Sequence, residues 1–116
     1  MIKLEGKRVY LACGATDMRK SIDGLSSIIE YSFNLKLFDG AAFVFCNSGR
    51  DRLKILEWDG DGFWLHFKRL EKGHFPWPRS TCGRTMQLSA EELEQLLNGT
   101  KLIGKIKGQE VTRAAI

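Results

Sequence analysis

The chain has 116 residues, 43% hydrophobic and 28% charged, and its 18 Lys and Arg against 14 Asp and Glu give a net charge of +4. That size and balance fit one globular domain and exclude a disordered or fibrous chain. No apolar run approaches the roughly 18 residues of a membrane helix, and the opening residues hold Glu5, Lys7 and Arg8 rather than a signal-peptide core, so a cytoplasmic protein without membrane contact is expected.

The first strand is expected over Lys7–Gly14, where Val9 and Tyr10 favour a pleat and Gly14 ends it. Thr16 or Asp17 then offers a cap for a helix whose apolar stripe is Met18, Ile22, Leu25, Ile29 and Phe33. Gly24 within it costs about 1 kcal/mol against Ala and is expected to allow close packing on a sheet. After the Asp39-Gly40 turn, "AAFVFCN" reads as a central strand buried on both faces. "NSGRDR" is the next turn.

"LKILEW" and "FWLHFK", separated by "DGDG", are read as a hairpin. With an odd number of loop residues, Leu53 and Ile55 would share a core face with Phe63, Leu65 and Phe67. The opposite face would carry Lys54, Leu56, Trp58, Trp64, His66 and Lys68. "GHFPWPRSTCGR" is a loop that Pro76 and Pro78 hold extended around Trp77. Ser89 and Glu92 form a capping box ahead of Leu93, Leu96 and Leu97, and Gly99 is placed to end that helix.

The expected fold is a single α+β domain over residues 1–100, in the order β-α-β-β-β-α, with two helices on a largely antiparallel sheet of about four strands. Residues 101–116 are expected to be a basic, partly mobile tail. The charge is uneven: +2 over residues 47–79, −2 over 80–100 and +3 over 101–116. A mildly basic chain with a basic end is compatible with nucleic-acid contact.

Catalytic and metal chemistry fit poorly. Glu57, Asp59, Asp61 and Gly62 match the start of a calcium loop, but Lys68 stands where the bidentate Glu belongs and Leu65 where another ligand belongs. Asp59 and Asp61 sit beside glycines, as turn residues do. Cys13, Cys46 and Cys82 are odd in number and widely spaced. With His66 and His74 they form no local zinc pair, and Cys13 and Cys46 lie in apolar surroundings suited to buried free thiols. A dyad of Cys82 with His74 has no supporting pattern. No phosphate loop or dinucleotide turn is present, and no metal or cofactor is implied.

The hairpin strands carry a different signal. Lys54, Trp58, Trp64, His66 and Lys68, with Arg50, Arg52, Arg69 and Lys72 just beyond, combine positive charge with stacking surface. That mixture suits phosphate neutralisation and base stacking. The alternative is that Trp58 and Trp64 pack in a core or interface and the cations form a solvated rim.

"GATDMRKSIDGL", "FVFCNSGRDRLKILEWDGDGFWLHFKRLEKGHFPWP" and "LSAEELEQLLNG", in that order, closely resemble the accessory protein, called TnpB or Orf2-like, of the insertion-sequence-sixty-six family of bacterial transposable elements. The resemblance runs from about Val9 to Gly99. It is unrelated to the RNA-guided nuclease of the same name, which needs a far longer chain. It implies a non-catalytic protein required for efficient DNA transposition beside a larger transposase that carries the catalytic acids. The implied partners are DNA at the element ends, the transposase and a second accessory protein. An exposed sheet edge would also allow a homo-oligomer.

Two readings follow. In the first the protein binds DNA, with Arg19, Lys20, Arg50, Arg52, Lys54, Lys68, Arg69 and Lys72 on phosphate and Trp64 or Trp77 stacking on a base. In the second it is an adaptor that binds the transposase through Trp58, Trp64, Phe75 and Trp77, without contacting DNA. A metal-dependent nuclease built on Asp59 and Asp61 is a third reading, which an intact Asp59→Ala variant would remove.

Overall fold

The computed structural model describes residues 4–79 and 83–98. In chain order the elements are β1 (Val9–Ala12), α1 (Ile22–Ser27) running on into a π-helical turn (Ile28–Ser32), β2 (Ala42–Cys46), β3 (Arg52–Trp58), β4 (Phe63–Arg69), β5 (Thr85–Leu88) and α2 (Ala90–Leu97). The strands form one sheet in the order β4-β3-β2-β1-β5. β1 and β2 are parallel, joined by the α1 crossover, and every other pairing is antiparallel. The α+β class, the two helices and the largely antiparallel sheet are as expected. β5 is an additional strand of four residues, too short for its alternation to stand out from the preceding loop. No helix among the described residues is long and apolar enough to cross a membrane.

Side chains alternate across the sheet, and each face is covered by one helix. On the α2 face, Val9 and Leu11 of β1, Val44 and Cys46 of β2, and Leu53 and Ile55 of β3 pack with Leu93, Leu96 and Leu97. Phe75 and Trp77 fill the same core from the extended segment after β4. On the α1 face, Phe43, Phe45 and Leu56 pack with Leu25 and Ile29. β2 is buried at all five positions because it is central and covered on both sides, which explains its continuously apolar sequence. The Cys46 thiol is free and burial pushes its pKa up to about 12; Cys13 is half-buried. Cys82, Gly99 and the tail at 101–116 lie outside the described residues.

The first helix starts later than expected. Asp17 does not cap it. Its carboxylate accepts the Arg19 backbone N–H at 2.9 Å while Lys20 N–H donates to Asp17 O at 3.1 Å, closing a local turn instead. Lys54 Nζ donates to Met18 O and Lys20 O, both at 2.8 Å, and fastens that turn to β3. Arg19 and Lys20 therefore precede α1 rather than lying on it. Leu25 and Ile29 of the predicted stripe are buried, with Met18, Ile22 and Phe33 packed beside them. Gly24 does not meet the sheet: a Cβ there would lie 3.2 Å from Lys20 Cβ. The capping box on α2 is present as read, with Glu92 N–H donating to Ser89 Oγ at 3.1 Å and Ser89 N–H to Glu92 Oε1 at 2.8 Å.

The hairpin parity differs from the expectation. Trp58 faces Phe63, so the loop is Asp59–Gly62 and has an even count. Asp59 N–H donates to Gly62 O at 3.0 Å, and Gly60 takes a φ of +106° that an L side chain rarely adopts. The side-chain sets consequently exchange. Phe63, Leu65, Phe67 and Arg69 share the α1 face with Arg52, Lys54, Leu56 and Trp58. Trp64, His66 and Lys68 share the α2 face with Leu53, Ile55 and Glu57.

Candidate nucleic-acid interface

The parity exchange splits the basic and aromatic residues into two surfaces. At the α1-face end of the hairpin remote from its turn, Arg52 stands directly opposite Arg69, and Lys54 opposite Phe67. The next rung carries a hydrogen bond from Leu70 N–H to Asp51 O, so Arg52 and Arg69 occupy a non-hydrogen-bonded rung, where facing side chains lie closest. The Lys54 bonds bring the 17–20 turn to the same corner. Arg19 there is 91% exposed in its side chain. Phe67 is 56% exposed and supplies an aromatic face among these cations.

Three carboxylates temper the corner. Asp17 takes the Arg19 guanidinium, with Nη2 at 2.8 Å, and these bonds lower the Asp17 pKa to about 2. Asp51 lies 3.7 Å from Arg52 Nη1, and its pKa is lowered chiefly by the hydrogen bond from Asn47. Glu71 accepts from Arg69 Nε at 3.0 Å. Each acid belongs to its cation's own segment, and none bridges Arg52 to Arg69. Arg19, Lys20, Arg52, Lys54 and Arg69 thus outnumber the acids of the corner.

The turn before β3 is rigidly organised. Asn47 Oδ1 accepts from Asp51 N–H and Arg52 N–H, its amide donates to Asp51 Oδ1 at 2.8 Å, and Arg50 is held at φ +58°. Arg50 O accepts Phe75 N–H at 2.7 Å, so Arg50 anchors the segment after β4 and its side chain is half-buried. Lys72 is exposed within that segment.

On the α2 face, Glu57 is buried and accepts from Lys7 Nζ at 2.7 Å, with His66 Nε2 at 2.9 Å. Burial alone would raise its pKa, but the Lys7 and His66 bonds outweigh it and the pKa is lowered. Trp64, 57% exposed, stacks on His66 with ring centroids 6.0 Å apart. Its indole N–H donates to Asp59 Oδ2 at 2.6 Å and lowers the Asp59 pKa. Lys68 Nζ donates to Leu97 O at 3.2 Å, the carbonyl end of α2.

Two expected contact residues are inaccessible. Trp77 is 2% exposed and its indole N–H donates to Ala12 O, while Phe75 is fully buried. Neither ring can stack on a base or anchor a partner, because the Pro-flanked segment lays both into the α2-face core. Trp58 is half-buried in an aromatic group with Phe38 and Phe63, at 4.9 and 5.0 Å between centroids. His74, weighed with Cys82, places Nδ1 2.9 Å from Gly49 O. Glu57 and Phe67 were not singled out by the sequence. Glu57 read as a position in a failed calcium template, and the odd-loop parity put Phe67 in the core. Reading "DGDG" as four turn residues would have found both.

The family model described as "IS66 Orf2 like protein" matches residues 7–106. "Uncharacterized protein y4hO" of Sinorhizobium fredii (strain NBRC 101917 / NGR234) is 38% identical over 92 residues, covering 79% of this chain and 79% of the relative. "Uncharacterized protein y4jC" of the same strain is 33% identical over 94 residues, covering 81% of this chain and 80% of the relative. No solved structure matches. The match spans every described strand and helix and includes the whole Arg52–Arg69 hairpin: the chain belongs to the IS66 Orf2-like family of insertion-sequence accessory proteins.

Proposed function

We propose that this protein acts without catalysis in transposition of its insertion sequence by holding DNA on the α1-face corner formed by Arg19, Lys20, Arg52, Lys54 and Arg69. The observation that carries this reading is the direct cross-strand placement of Arg52 against Arg69 with no carboxylate bridging them among the described residues. Like charges directly opposite on a sheet destabilise it. An arrangement that keeps them together suits an anion that lies between them, and two guanidiniums suit the oxygens of a phosphate backbone. Phe67 adds a face for a base. Trp64 and Lys68 play no part at this corner, since they project from the other face.

A second reading has one observation of its own. Phe38 is 59% exposed over Trp58 and Phe63. That aromatic group suits an anchor for the transposase or a second accessory protein.

A fluorescence-anisotropy titration with terminal-repeat DNA, at low and near-physiological salt, separates the two. The DNA reading expects a log–log salt slope of about −0.9 per phosphate neutralised, reduced in Arg52→Ala and Arg69→Ala. Absence of binding at low salt would reject it and leave transposase binding as the function to measure.

A further inference from the structure

β4 ends the sheet, and nothing among the described residues pairs with its outer edge. The ladder to β3 decides which of its backbone groups are free. Asp59 N–H bonds Gly62 O at one end and Leu70 N–H bonds Asp51 O at the other. In an antiparallel pair hydrogen-bonded rungs alternate with open ones. The unbroken register between them therefore assigns the backbone groups of Trp64, His66 and Lys68 to β3. Those of Phe63, Leu65, Phe67 and Arg69 point outward. Edges are ordinarily blunted by proline, a bulge, short length or inward charge. β4 is seven residues long, has an unbroken register, and reads Phe-Trp-Leu-His-Phe before its first cation.

We propose that β4 is a homodimer interface, pairing antiparallel with β4 of a second copy about a two-fold axis through Leu65, so that the two sheets become one. The outward groups allow an axis through any residue of the strand; one through Phe67 would set Leu65 against Arg69 and His66 against Lys68. An axis through Leu65 sets Phe63 against Phe67 of the second copy, Leu65 against Leu65, and Trp64 against His66. One step further along, Arg69 comes alongside the exposed Asp61 of the other copy's turn, twice by symmetry. An axis through His66 would face Arg69 with Phe63 and His66 with itself. An axis through Trp64 would set Asp61 against Phe67. Only the Leu65 register matches apolar with apolar and cation with carboxylate across both halves, which is the self-complementarity a two-fold contact requires. The dimer shares Arg69 and Phe67 with the proposed DNA corner, but it stands on the free edge and is measured without DNA, so its failure and the failure of the DNA reading are distinguishable.

The test is light scattering and sedimentation of the full chain without DNA at about 100 µM, a concentration that populates contacts of micromolar affinity. The expected mass is twice the 13.2 kDa of one chain. Phe67→Pro removes an outward N–H and no bond to β3, so the fold is retained and the dimer is lost. Asp61→Arg, on the exposed turn, weakens the dimer by about tenfold through two lost ion pairs and new repulsion. Arg69→Asp added to Asp61→Arg restores it. With Cys13 and Cys82 changed to Ser, Leu65→Cys should cross-link readily, because facing Cα atoms on a hydrogen-bonded rung lie about 5.5 Å apart, within disulfide reach. His66→Cys or Trp64→Cys cross-linking instead would overturn the register. A monomer at this concentration, or a dimer indifferent to Phe67→Pro and Asp61→Arg, would overturn the interface.

Discussion

Arg52 and Arg69 face each other on the last rung of the β3–β4 ladder, each paired with an acid of its own segment and neither with an acid between them. Stability and binding should therefore respond in opposite directions. Arg69→Glu replaces a like-charge rung by an ion pair and gives up the exposed Arg69–Glu71 pair, which contributes little, so a net gain of under about 1 kcal/mol is expected in urea unfolding. The same change should weaken DNA binding and shrink its salt slope by about one unit. A variant both less stable and equally tight on DNA would contradict the proposed role of this corner.

Trp77 and Trp64 should separate cleanly. Trp77→Ala removes a buried ring and leaves the Ala12 carbonyl without its indole donor, so a loss of about 3–5 kcal/mol is expected from chemical denaturation. Trp64→Ala removes an exposed ring and should cost under about 1 kcal/mol. If the two losses were equal, the assignment of the tryptophans to opposite environments would be wrong.

Glu57 predicts the acid limb of stability. Its pKa is lowered from 4.5 in the folded chain. A group with a depressed folded pKa contributes above its unfolded pKa, and that contribution is lost as pH falls through the folded value. Stability should thus decline as pH drops below about 4.5. Glu57→Gln should cost about 1.5–3 kcal/mol at pH 7, since it weakens charge-assisted bonds from Lys7 and His66. It should also flatten the decline, and thermal melts of the two proteins from pH 3 to 7 provide the check.

Asp59 should matter to its turn and not to activity. Its carboxylate accepts from Trp64 Nε1 and Gly62 N–H. Asp59→Ala should lower stability by about 1 kcal/mol and shift the Trp64 fluorescence. DNA affinity should stay unchanged. Loss of transposition with folding intact would instead revive an acidic catalytic role.

Much of the fold was legible because it rests on local patterns. The continuous apolar run of β2, the Ser89–Glu92 capping box and the hairpin signal of "DGDG" each specify an element through neighbouring residues alone. The α1 start is not encoded locally, because Asp17 closes a turn instead of capping the helix and that turn is held by Lys54, a residue far away in sequence. The site was legible as a list and not as a surface. Whether a loop holds an odd or even number of residues reverses every later side chain on the strand. That one step moved Phe67 and Arg69 beside Arg52 and moved Trp64 and Lys68 away from it.

By itself the sequence determined the class of fold, the helices, the central strand and the family, since these depend on composition, periodicity and motif order. Only the tertiary structure decided that Trp77 and Phe75 are core, that Glu57 is held by Lys7 and His66, and that β4 leaves alternate backbone groups open to its outer side. Those facts depend on strand register and on contacts between residues distant along the chain, and no local pattern of side chains encodes either.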